Sequence, residues 1–343
     1  MKPRIFVVQP LMENGLNALR QVGEVEVFNS ERMISRDDLV AGVRRSDFVV
    51  TLGDTVIDAE ILDVNPGLKG IAAMAMGLNV IDVEAATERG ILLTNIDHVI
   101  TKTTCDLTLA HILGLAWRIV EADRFTRSGR FHQEQSMSFL THSLPGKVVG
   151  MIGLGVIGEE IAKRVRAFEM PVVYTKRNRL SEDRERQLGV QFLATKDDVL
   201  KQADFVVIMA NYNPSTHLLI GAREFGLMKP TAFFVNTARG RIVDEPALLD
   251  ALKTKQIAGA GLDVYWNEPP ISEPNPNPEF FKMDNVILTS HIGSAAWESR
   301  TEMARLVAAN MVAMVTGKRP ANVYNPAVYE RPNFRLGVAP PAQ

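Results

Sequence analysis

Arg239, Glu268 and His291 each stand just beyond a short apolar run of the kind that forms a buried strand. In a parallel α/β sheet the carboxyl ends of the strands meet at one edge, which is where ligands bind. We therefore expect a guanidinium, a carboxylate and an imidazole to converge there, although they lie far apart in the sequence. Singly they could be a solvated turn residue, a loop charge and a capped strand end, but together they indicate a site.

This set of groups suits hydride transfer to a small 2-keto acid. The reaction needs a hydride donor, a proton donor for the carbonyl oxygen and a cation for the carboxylate. Histidine is the commonest proton donor at neutral pH, and a nearby carboxylate stabilises its protonated form. We expect His291 to act as the acid and base, Glu268 to orient it, and Arg239 to bind the substrate carboxylate and polarise the carbonyl.

A glycine-rich stretch in mid-chain would bind the hydride donor. Gly153, Gly155 and Gly158 have the spacing G-x-G-x-x-G, with an apolar strand pattern before them and a helical pattern after them. In a dinucleotide-binding loop Gly153 permits the tight turn, Gly155 lets the backbone approach the pyrophosphate, and Gly158 lets the helix pack closely on the strand. The free N–H groups of the helix would face the phosphates. An ordinary glycine turn is the alternative.

Alternating strand and helix patterns along the chain predict the elements that position these groups. They indicate an α/β protein with two Rossmann-like, doubly wound parallel-sheet domains and a cleft between them. We expect a discontinuous, flavodoxin-like substrate domain of residues 1–99 and 294–335, an NAD(P)-binding Rossmann domain of residues 100–293, and a tail of residues 336–343. The predicted strands are Ile5–Gln9, Val25–Phe28, Phe48–Leu52, Gly70–Met74, Ile91–Asn95, Val148–Gly153, Pro171–Thr175, Val190–Phe192, Phe205–Ala210, Ala232–Asn236, Gly259–Asp263 and Val286–Thr289.

Several helical and loop features accompany the strands. The stretch Thr101–Ser128 predicts a long helix, broken or bent once, which is apolar nearly all round in its middle and therefore buried. His111 within it is expected to be a core histidine rather than a ligand. Asp244 is expected to cap a helix. We expect a loop at Pro269–Pro278 and a last long helix at Ala295–Val315.

The composition excludes several classes of protein. The net charge of −2 gives no support for binding to nucleic acid or to an anionic membrane. Cys105 is the only cysteine, so no internal disulfide can form and a reducing compartment is expected. The N-terminal residues lack the apolar run of a signal peptide, and no apolar run is long enough to span a membrane. We therefore expect a cytoplasmic protein without a metal site.

Four motifs together make the sequence resemble the D-isomer-specific 2-hydroxyacid dehydrogenase family, from about residue 45 to 325. They are Gly153–Gly158, Asn236–Gly240, Gly261–Pro269 and Ser290–Ser294. The resemblance implies that Arg239, Glu268 and His291 are the catalytic residues, with His291 as the acid and base. The resemblance is closest to the NADP-dependent glyoxylate/hydroxypyruvate reductases. It also implies a homodimer formed through the nucleotide domains.

The resemblance also implies which residues bind the ligands. Asp263 would lie near the nicotinamide carboxamide, and Ala75–Asn79 would form the loop for the substrate carboxylate. The substrate would contact Leu52, Met76, Gly77, Arg239 and His291. The cofactor would contact Thr104, Leu154, Gly155, Val156, Ile157, Lys176, Arg177, Asn178, Arg179, Thr237, Ala238, Arg239, Asp263, His291 and Gly293.

Two departures from the family pattern bear on the cofactor and the substrate. NAD-using members carry an aspartate about 20 residues past the glycines for the ribose 2′-OH, whereas this segment holds Lys176, Arg177 and Arg179. These cations suit a 2′-phosphate, so we expect NADP(H), with NAD(H) as a second cofactor and a solvated basic turn as the alternative. The atypical Leu78 and Val80 in the carboxylate loop leave the identity of the 2-keto acid open.

The sequence thus favours an NADP(H)-dependent reductase of a small 2-keto acid, glyoxylate or hydroxypyruvate by preference, with no nucleic-acid or membrane partner. Two alternatives stay open. One is a nucleotide-sensing, corepressor-like binding protein without catalysis, against which the intact set of arginine, glutamate and histidine argues. The other is a dehydrogenase of the same family with an unusual substrate.

Overall fold

The computed structural model describes residues 2–30, 32–96, 99–131, 137–268 and 275–336. The chain forms two compact units. Unit 1 consists of Met1–Val99 and Ala296–Gln343, and unit 2 consists of Ile100–Ala295. Unit 2 ends at residue 295, whereas the sequence pattern places its end at residue 293.

Parallel strands form one sheet in each unit. The strands are β1 (Arg4–Val7), β2 (Glu24–Val27), β3 (Phe48–Leu52), β4 (Gly70–Met74), β5 (Leu92–Thr94), β6 (Val149–Ile152), β7 (Val172–Thr175), β8 (Val190–Phe192), β9 (Phe205–Ile208), β10 (Phe233–Asn236), β11 (Gly259–Leu262) and β12 (Val286–Leu288). The strand order is β2-β1-β3-β4-β5 in unit 1 and β12-β11-β10-β9-β6-β7-β8 in unit 2. The prediction of two parallel α/β sheets is confirmed.

The order of the strands in unit 2 is the one found in dinucleotide-binding domains, extended by β12. The chain winds one way from β6 to β7 and β8, and the other way from β9 to β12. Ligands bind at such a reversal, beyond the carboxyl ends of the strands. The glycine-rich stretch follows β6 and therefore lies at this point. The order in unit 1 is that of flavodoxin-like sheets.

Most of the helices lie between consecutive strands, and the last helix follows the last strand. They are α1 (Glu13–Val22), α2 (Arg36–Arg44), α3 (Ala59–Asp63), α4 (Val83–Glu88), α5 (Thr101–Ala116), α6 (Ile119–Arg127), α7 (Val156–Ala167), α8 (Glu182–Leu188), α9 (Lys196–Gln202), α10 (Ala222–Phe225), α11 (Glu245–Lys253) and α12 (Trp297–Val315). Asp244 precedes α11, and its side chain accepts the N–H of Ala247. This bond satisfies a backbone donor in the first turn, and it confirms the predicted cap.

The long apolar stretch after residue 100 forms two helices. Arg118 has a left-handed φ of 51°, so α5 ends before it and α6 begins after it. Nine of the sixteen residues of α5 are buried, whereas α6 has no buried residue. The predicted break is confirmed, but only α5 is a core helix.

Helix α12 brings the end of the chain back into unit 1. A Cβ at Gly15 of α1 would lie 2.8 Å from the carbonyl oxygen of Ala304 in α12, so glycine is needed for these helices to pack this closely. None of the helices described is long and apolar enough to cross a membrane. Residues 269–274 of the predicted loop, and residues 337–343 of the predicted tail, lie outside the described residues.

Candidate active site

A buried carboxylate holds one nitrogen of the His291 ring. Nδ1 of His291 lies 2.9 Å from Oε2 of Glu268, and the other carboxylate oxygen accepts a 3.2 Å hydrogen bond from the amide of Asn275. Only 6% of the Glu268 side chain is exposed, against 45% of the His291 side chain. A carboxylate only accepts hydrogen bonds, so Nδ1 carries the hydrogen. This leaves Nε2 as the ring atom that can exchange a proton.

Arg239 follows β10 in a turn that its own neighbours stabilise. The side chain of Asn236 accepts the N–H of Ala238 at 3.0 Å and donates to the carbonyl of Arg239 at 3.0 Å. The guanidinium donates to the carbonyl of Ala238 at 2.6 Å. Burial lowers the pKa of Arg239, and the charge of Glu268 opposes that shift. Glu268 therefore interacts with both groups. Its charge favours the charged form of Arg239, and its carboxylate is hydrogen-bonded to the imidazole of His291.

The backbone at His291 has an unusual conformation that a third carboxylate maintains. His291 has a φ of 54°, which is the left-handed region that residues with a Cβ rarely adopt. The buried side chain of Asp263 accepts the N–H of Ile292 at 2.8 Å and that of Gly293 at 3.0 Å. The hydroxyl of Thr104 donates to the carbonyl of Gly293 at 3.2 Å. These bonds hold the turn that presents the imidazole.

The glycine-rich loop has the geometry that a dinucleotide needs. Gly153 has a φ of 92°, and a Cβ there would lie 2.7 Å from the backbone of Met209. Gly155 precedes α7, and a Cβ there would meet nothing within 4 Å, so the loop is open at this residue. A Cβ at Gly158 would lie 3.1 Å from Leu154. The loop, with Leu154, Val156 and Ile157 beside Gly155, therefore fits a pyrophosphate at the helix N-terminus.

Two cations of the basic segment after β7, the half-buried Lys176 and the exposed Arg177, have neutral partners. Lys176 donates from Nζ to the carbonyl of Leu154 at 2.8 Å, which joins this segment to the glycine-rich loop. Arg177 donates to the hydroxyl of Ser215 at 3.0 Å. Neither contact neutralises the cation. Lys176 and Arg177 are therefore available to a phosphate, and Asn178 is exposed beside them.

Arg179 differs, because an internal carboxylate holds it. Its guanidinium forms two hydrogen bonds, of 2.8 and 2.7 Å, with the two oxygens of Glu185, and it lies 5.2 Å from the ring centre of Phe192. Tyr174 also donates to Glu185, at 2.6 Å. These bonds lower the pKa of Glu185 to about 2. Arg179 therefore stabilises the fold of this segment, and its predicted contact with the cofactor would require it to leave Glu185.

The remaining predicted site residues fall in both units. In unit 2, the hydroxyl of Thr237 lies 2.9 Å from that of Thr108, and Ala238 forms the turn before Arg239. In unit 1, Leu52 ends β3, while Met76 and Gly77 follow β4. The amide of Asn95 donates to the carbonyl of Met76 at 2.8 Å.

The atypical leucine of the carboxylate loop belongs to the core of unit 1. Leu78 is 2% exposed and packs with the buried residues of that sheet. Its side chain therefore contributes to packing, and Met76, Gly77 and Asn79 are the more accessible residues beside it.

The sequence patterns missed two residues that support the site. Asn275, which holds Glu268, lies in an irregular segment without periodicity. Thr289 donates to Asp263 at 2.6 Å, and its place directly after β12 was its only signal. Among the described residues, no cluster of His, Cys, Asp and Glu could hold a metal ion.

Residues 109–293 match the family described as D-isomer specific 2-hydroxyacid dehydrogenase, NAD binding domain. The chain is 42% identical over 341 residues to a glyoxylate reductase of Thermococcus gammatolerans, an alignment that covers 98% of this chain and 100% of that protein. It is 41% identical over 340 residues to a glyoxylate reductase of Pyrococcus furiosus, covering 97% of this chain and 99% of that one.

Solved structures share the fold. The TT0316 protein of Thermus thermophilus superimposes with a TM-score of 0.86 at 35% identity, covering 93% of this chain and 99% of that chain. An NADPH-dependent glyoxylate/hydroxypyruvate reductase of Sinorhizobium meliloti, in complex with NADP and malonate, superimposes with a TM-score of 0.80 at 27% identity, covering 98% of each chain.

We expect Glu185→Gln to destabilise the protein at neutral pH and less so in acid. Folding lowers the pKa of Glu185 from 4.5 to about 2. The contribution of Glu185 to the free energy of unfolding is therefore fully present above pH 4.5 and is lost as the pH falls toward the pKa of the folded state. The difference in Tm between the wild type and the variant should therefore shrink between pH 4.5 and 2. Thermal unfolding followed by circular dichroism at several pH values measures this difference. Glu182→Gln, at an exposed residue of the same helix, is the control, and a pH-independent loss in Glu185→Gln would contradict the prediction.

Proposed function

Since this chain belongs to the D-isomer-specific 2-hydroxyacid dehydrogenase family and is an NAD(P)-dependent 2-hydroxyacid oxidoreductase, we propose that it reduces glyoxylate or hydroxypyruvate with NADPH. The observation that carries the proposal is the pairing of His291 with the buried Glu268, whose charge also acts on Arg239. The family that the motifs indicated is confirmed by the comparisons.

The roles of the three side chains follow from their chemistry. The glycine-rich loop at Gly153–Gly158 would hold the dinucleotide, which would supply the hydride for the new C–H bond at the keto carbon. The electron pair of the C=O bond moves to oxygen, and that oxygen takes the proton from Nε2 of His291. Glu268 keeps Nδ1–H in place and stabilises the imidazolium before the transfer. Arg239 binds the substrate carboxylate with two N–H groups and polarises the carbonyl.

Two features support NADPH as the preferred cofactor. Lys176 and Arg177 carry charges that no carboxylate of the described residues neutralises, next to the glycine-rich loop. An aspartate for the ribose 2′-OH does not occur in this segment. A relative in the comparisons, the reductase of Sinorhizobium meliloti, is described as NADPH-dependent.

Two observations support the choice of substrate: the activities named for the relatives, and the absence of a side chain at Gly77 in the carboxylate loop. The relatives of Thermococcus and Pyrococcus are described as glyoxylate reductases. In the loop Gly77 carries no side chain, and Leu78 points into the core. We propose that the backbone at Met76 and Gly77 binds the substrate carboxylate, while Leu52 lies at the end of the neighbouring strand β3.

The purified enzyme should oxidise NADPH with glyoxylate or hydroxypyruvate, and His291→Gln should lower kcat at least about 100-fold, since a positioned acid contributes about 10²–10⁴-fold. The absorbance of the reduced nicotinamide measures the rate of NADPH oxidation with each of a panel of 2-keto acids. The Kd of NADPH, from its fluorescence, should stay unchanged. His142→Gln, at the histidine that contacts Phe233, is the control. Substantial turnover by His291→Gln would remove the assigned role, and inactivity of the wild type on the whole panel would refute the function.

The two arginines of the basic segment should differ in their effect on cofactor choice. Arg177→Ala should raise the KM for NADPH about tenfold and leave that for NADH nearly unchanged, because a lost ion pair with a phosphate is worth roughly 1.4 kcal/mol. Arg179→Ala should lower Tm but change the ratio of the two KM values little, because Arg179 is bound to Glu185. The opposite pattern would contradict this division of roles, and a preference for NADH in the wild type would contradict the choice of NADPH.

We also propose that the protein is a homodimer formed through unit 2. Large apolar side chains that are more than half exposed lie between α5 and α6, at the first residue of α6 and after its end. They are Trp117, Ile119, Phe131, Met137 and Leu140. An apolar patch of this kind on a soluble protein marks an interaction surface, and the family resemblance implies a second copy as the partner.

Ile119→Glu should therefore shift the protein from dimer to monomer, because a charge on this surface would lose its hydration in the interface. Light scattering coupled to size-exclusion chromatography measures the mass directly. Met33→Glu, at an exposed apolar residue of unit 1, should leave the dimer intact. A wild type with the mass of one chain would overturn the proposal.

A further inference from the structure

A chain of hydrogen bonds inside unit 2 links a buried histidine to the turn that carries His291. His111 lies in α5 and is 1% exposed. Its Nε2 lies 3.0 Å from Oγ1 of Thr289, and Oγ1 of Thr289 lies 2.6 Å from Oδ1 of Asp263. Asp263 in turn accepts the two backbone N–H groups that follow His291. The chain therefore runs from the core to the site.

The direction of each bond follows from the donors and acceptors present. A carboxylate only accepts hydrogen bonds, so Thr289 donates its single hydroxyl hydrogen to Asp263. The oxygen of Thr289 must then accept from Nε2–H of His111. The other ring nitrogen, Nδ1, is buried and has no partner among the described residues. Burial lowers the pKa of His111, with partial opposition from Asp263, which favours the neutral ring. The bond to Thr289 then selects the tautomer with the hydrogen on Nε2.

Gly261 provides the space in which the imidazole of His111 lies. A Cβ at Gly261 would be 2.4 Å from Nδ1 of His111 and 3.0 Å from its Cβ. The ring therefore packs directly on the backbone of β11, two residues before Asp263. Asp263 directly follows β11, and its N–H donates to the carbonyl of Asn236 at 3.1 Å. The end of β11 thus lies against the ring and also carries the carboxylate.

We propose that His111 is a positioning residue for the reaction assigned above. Its N–H orients the hydroxyl of Thr289 toward Asp263, and this keeps the carboxylate in the geometry that holds the His291 turn. The left-handed φ of His291 is costly for a residue with a Cβ, so the surrounding bonds must maintain it. The inference rests on the proposed function, because its effect on kcat is measured through proton transfer by His291.

Replacing the ring by an apolar side chain tests the bond to Thr289. His111→Leu should lower kcat about tenfold, since misplacing a catalytic group by a fraction of an ångström slows the reaction to that extent. The Kd of NADPH should change less than about twofold. His111→Gln carries an amide N–H that can replace Nε2–H, so it should restore most of the lost kcat. Equal kcat in His111→Leu and the wild type, or no recovery in His111→Gln, would overturn the proposal.

A second pair of variants covers the case in which His111→Leu does not fold. Thr289→Val removes the hydroxyl at nearly constant volume and should lower kcat, while Thr289→Ser keeps the hydroxyl and should stay near the wild type. Because His111 acts through Thr289, the double variant His111→Leu/Thr289→Val, where it folds, should be no slower than Thr289→Val alone. Effects of the two substitutions that simply multiply would show that the residues act independently and would overturn the chain.

A spectroscopic measurement separates this inference from the proposed function. Protein labelled with ¹⁵N in its six histidines should show a neutral Nε2–H ring whose signals are missing in His111→Gln, and Thr289→Val should shift the signals of the His291 ring. If these results hold while no 2-keto acid is reduced, the function fails and the positioning role stands. If His111 has the other tautomer, or the His291 ring does not respond to Thr289→Val, the positioning role fails whatever the activity.

Discussion

The hydrogen bonds between Asp263 and the backbone after His291 are the interaction on which the site depends. A carboxylate that accepts two N–H groups forms charge-assisted bonds, which are stronger than those between neutral groups. Both N–H groups belong to the turn that holds His291 in a left-handed conformation. The bond from Glu268 to the imidazole can then orient only a ring whose backbone is already held in place. Asp263 thus acts on the backbone and Glu268 on the ring.

Within the described part of the site, Arg239 is a cation to which no carboxylate is hydrogen-bonded. Glu268 bonds to His291 and Asn275, and Arg239 donates only to the carbonyl of Ala238 among its described hydrogen bonds. Burial disfavours the charged guanidinium, and the nearby charge of Glu268 favours it. A desolvated cation without a bonded anion attracts one from solution strongly, because the surrounding dielectric constant is low. This supports the proposed binding of the substrate carboxylate by Arg239.

The basic segment after β7 shows where composition alone misleads. Lys176, Arg177 and Arg179 look alike in the sequence, and all three were predicted to face a 2′-phosphate. In the structure Glu185 neutralises Arg179, because the turn before α8 brings these side chains together. No periodic pattern marks such a pair, since the arginine precedes the helix and the glutamate lies within it. The remaining two cations, Lys176 and Arg177, support the proposed preference for NADPH.

The sequence by itself determined the strands, the winding of the two sheets and the edge at which polar residues meet. Apolar runs of four or five residues leave few other structures, and parallel sheets place all carboxyl ends on one side. It also determined the glycine-rich loop, because only glycine tolerates the positive φ at Gly153. Tertiary structure alone decided that α6 leaves the core after Arg118, that Leu78 faces inward and that Arg179 is neutralised. It also decided that His111 is bonded to Thr289, a residue 178 positions away. Such contacts depend on side chains that folding brings together from separate elements, and local patterns carry no record of them.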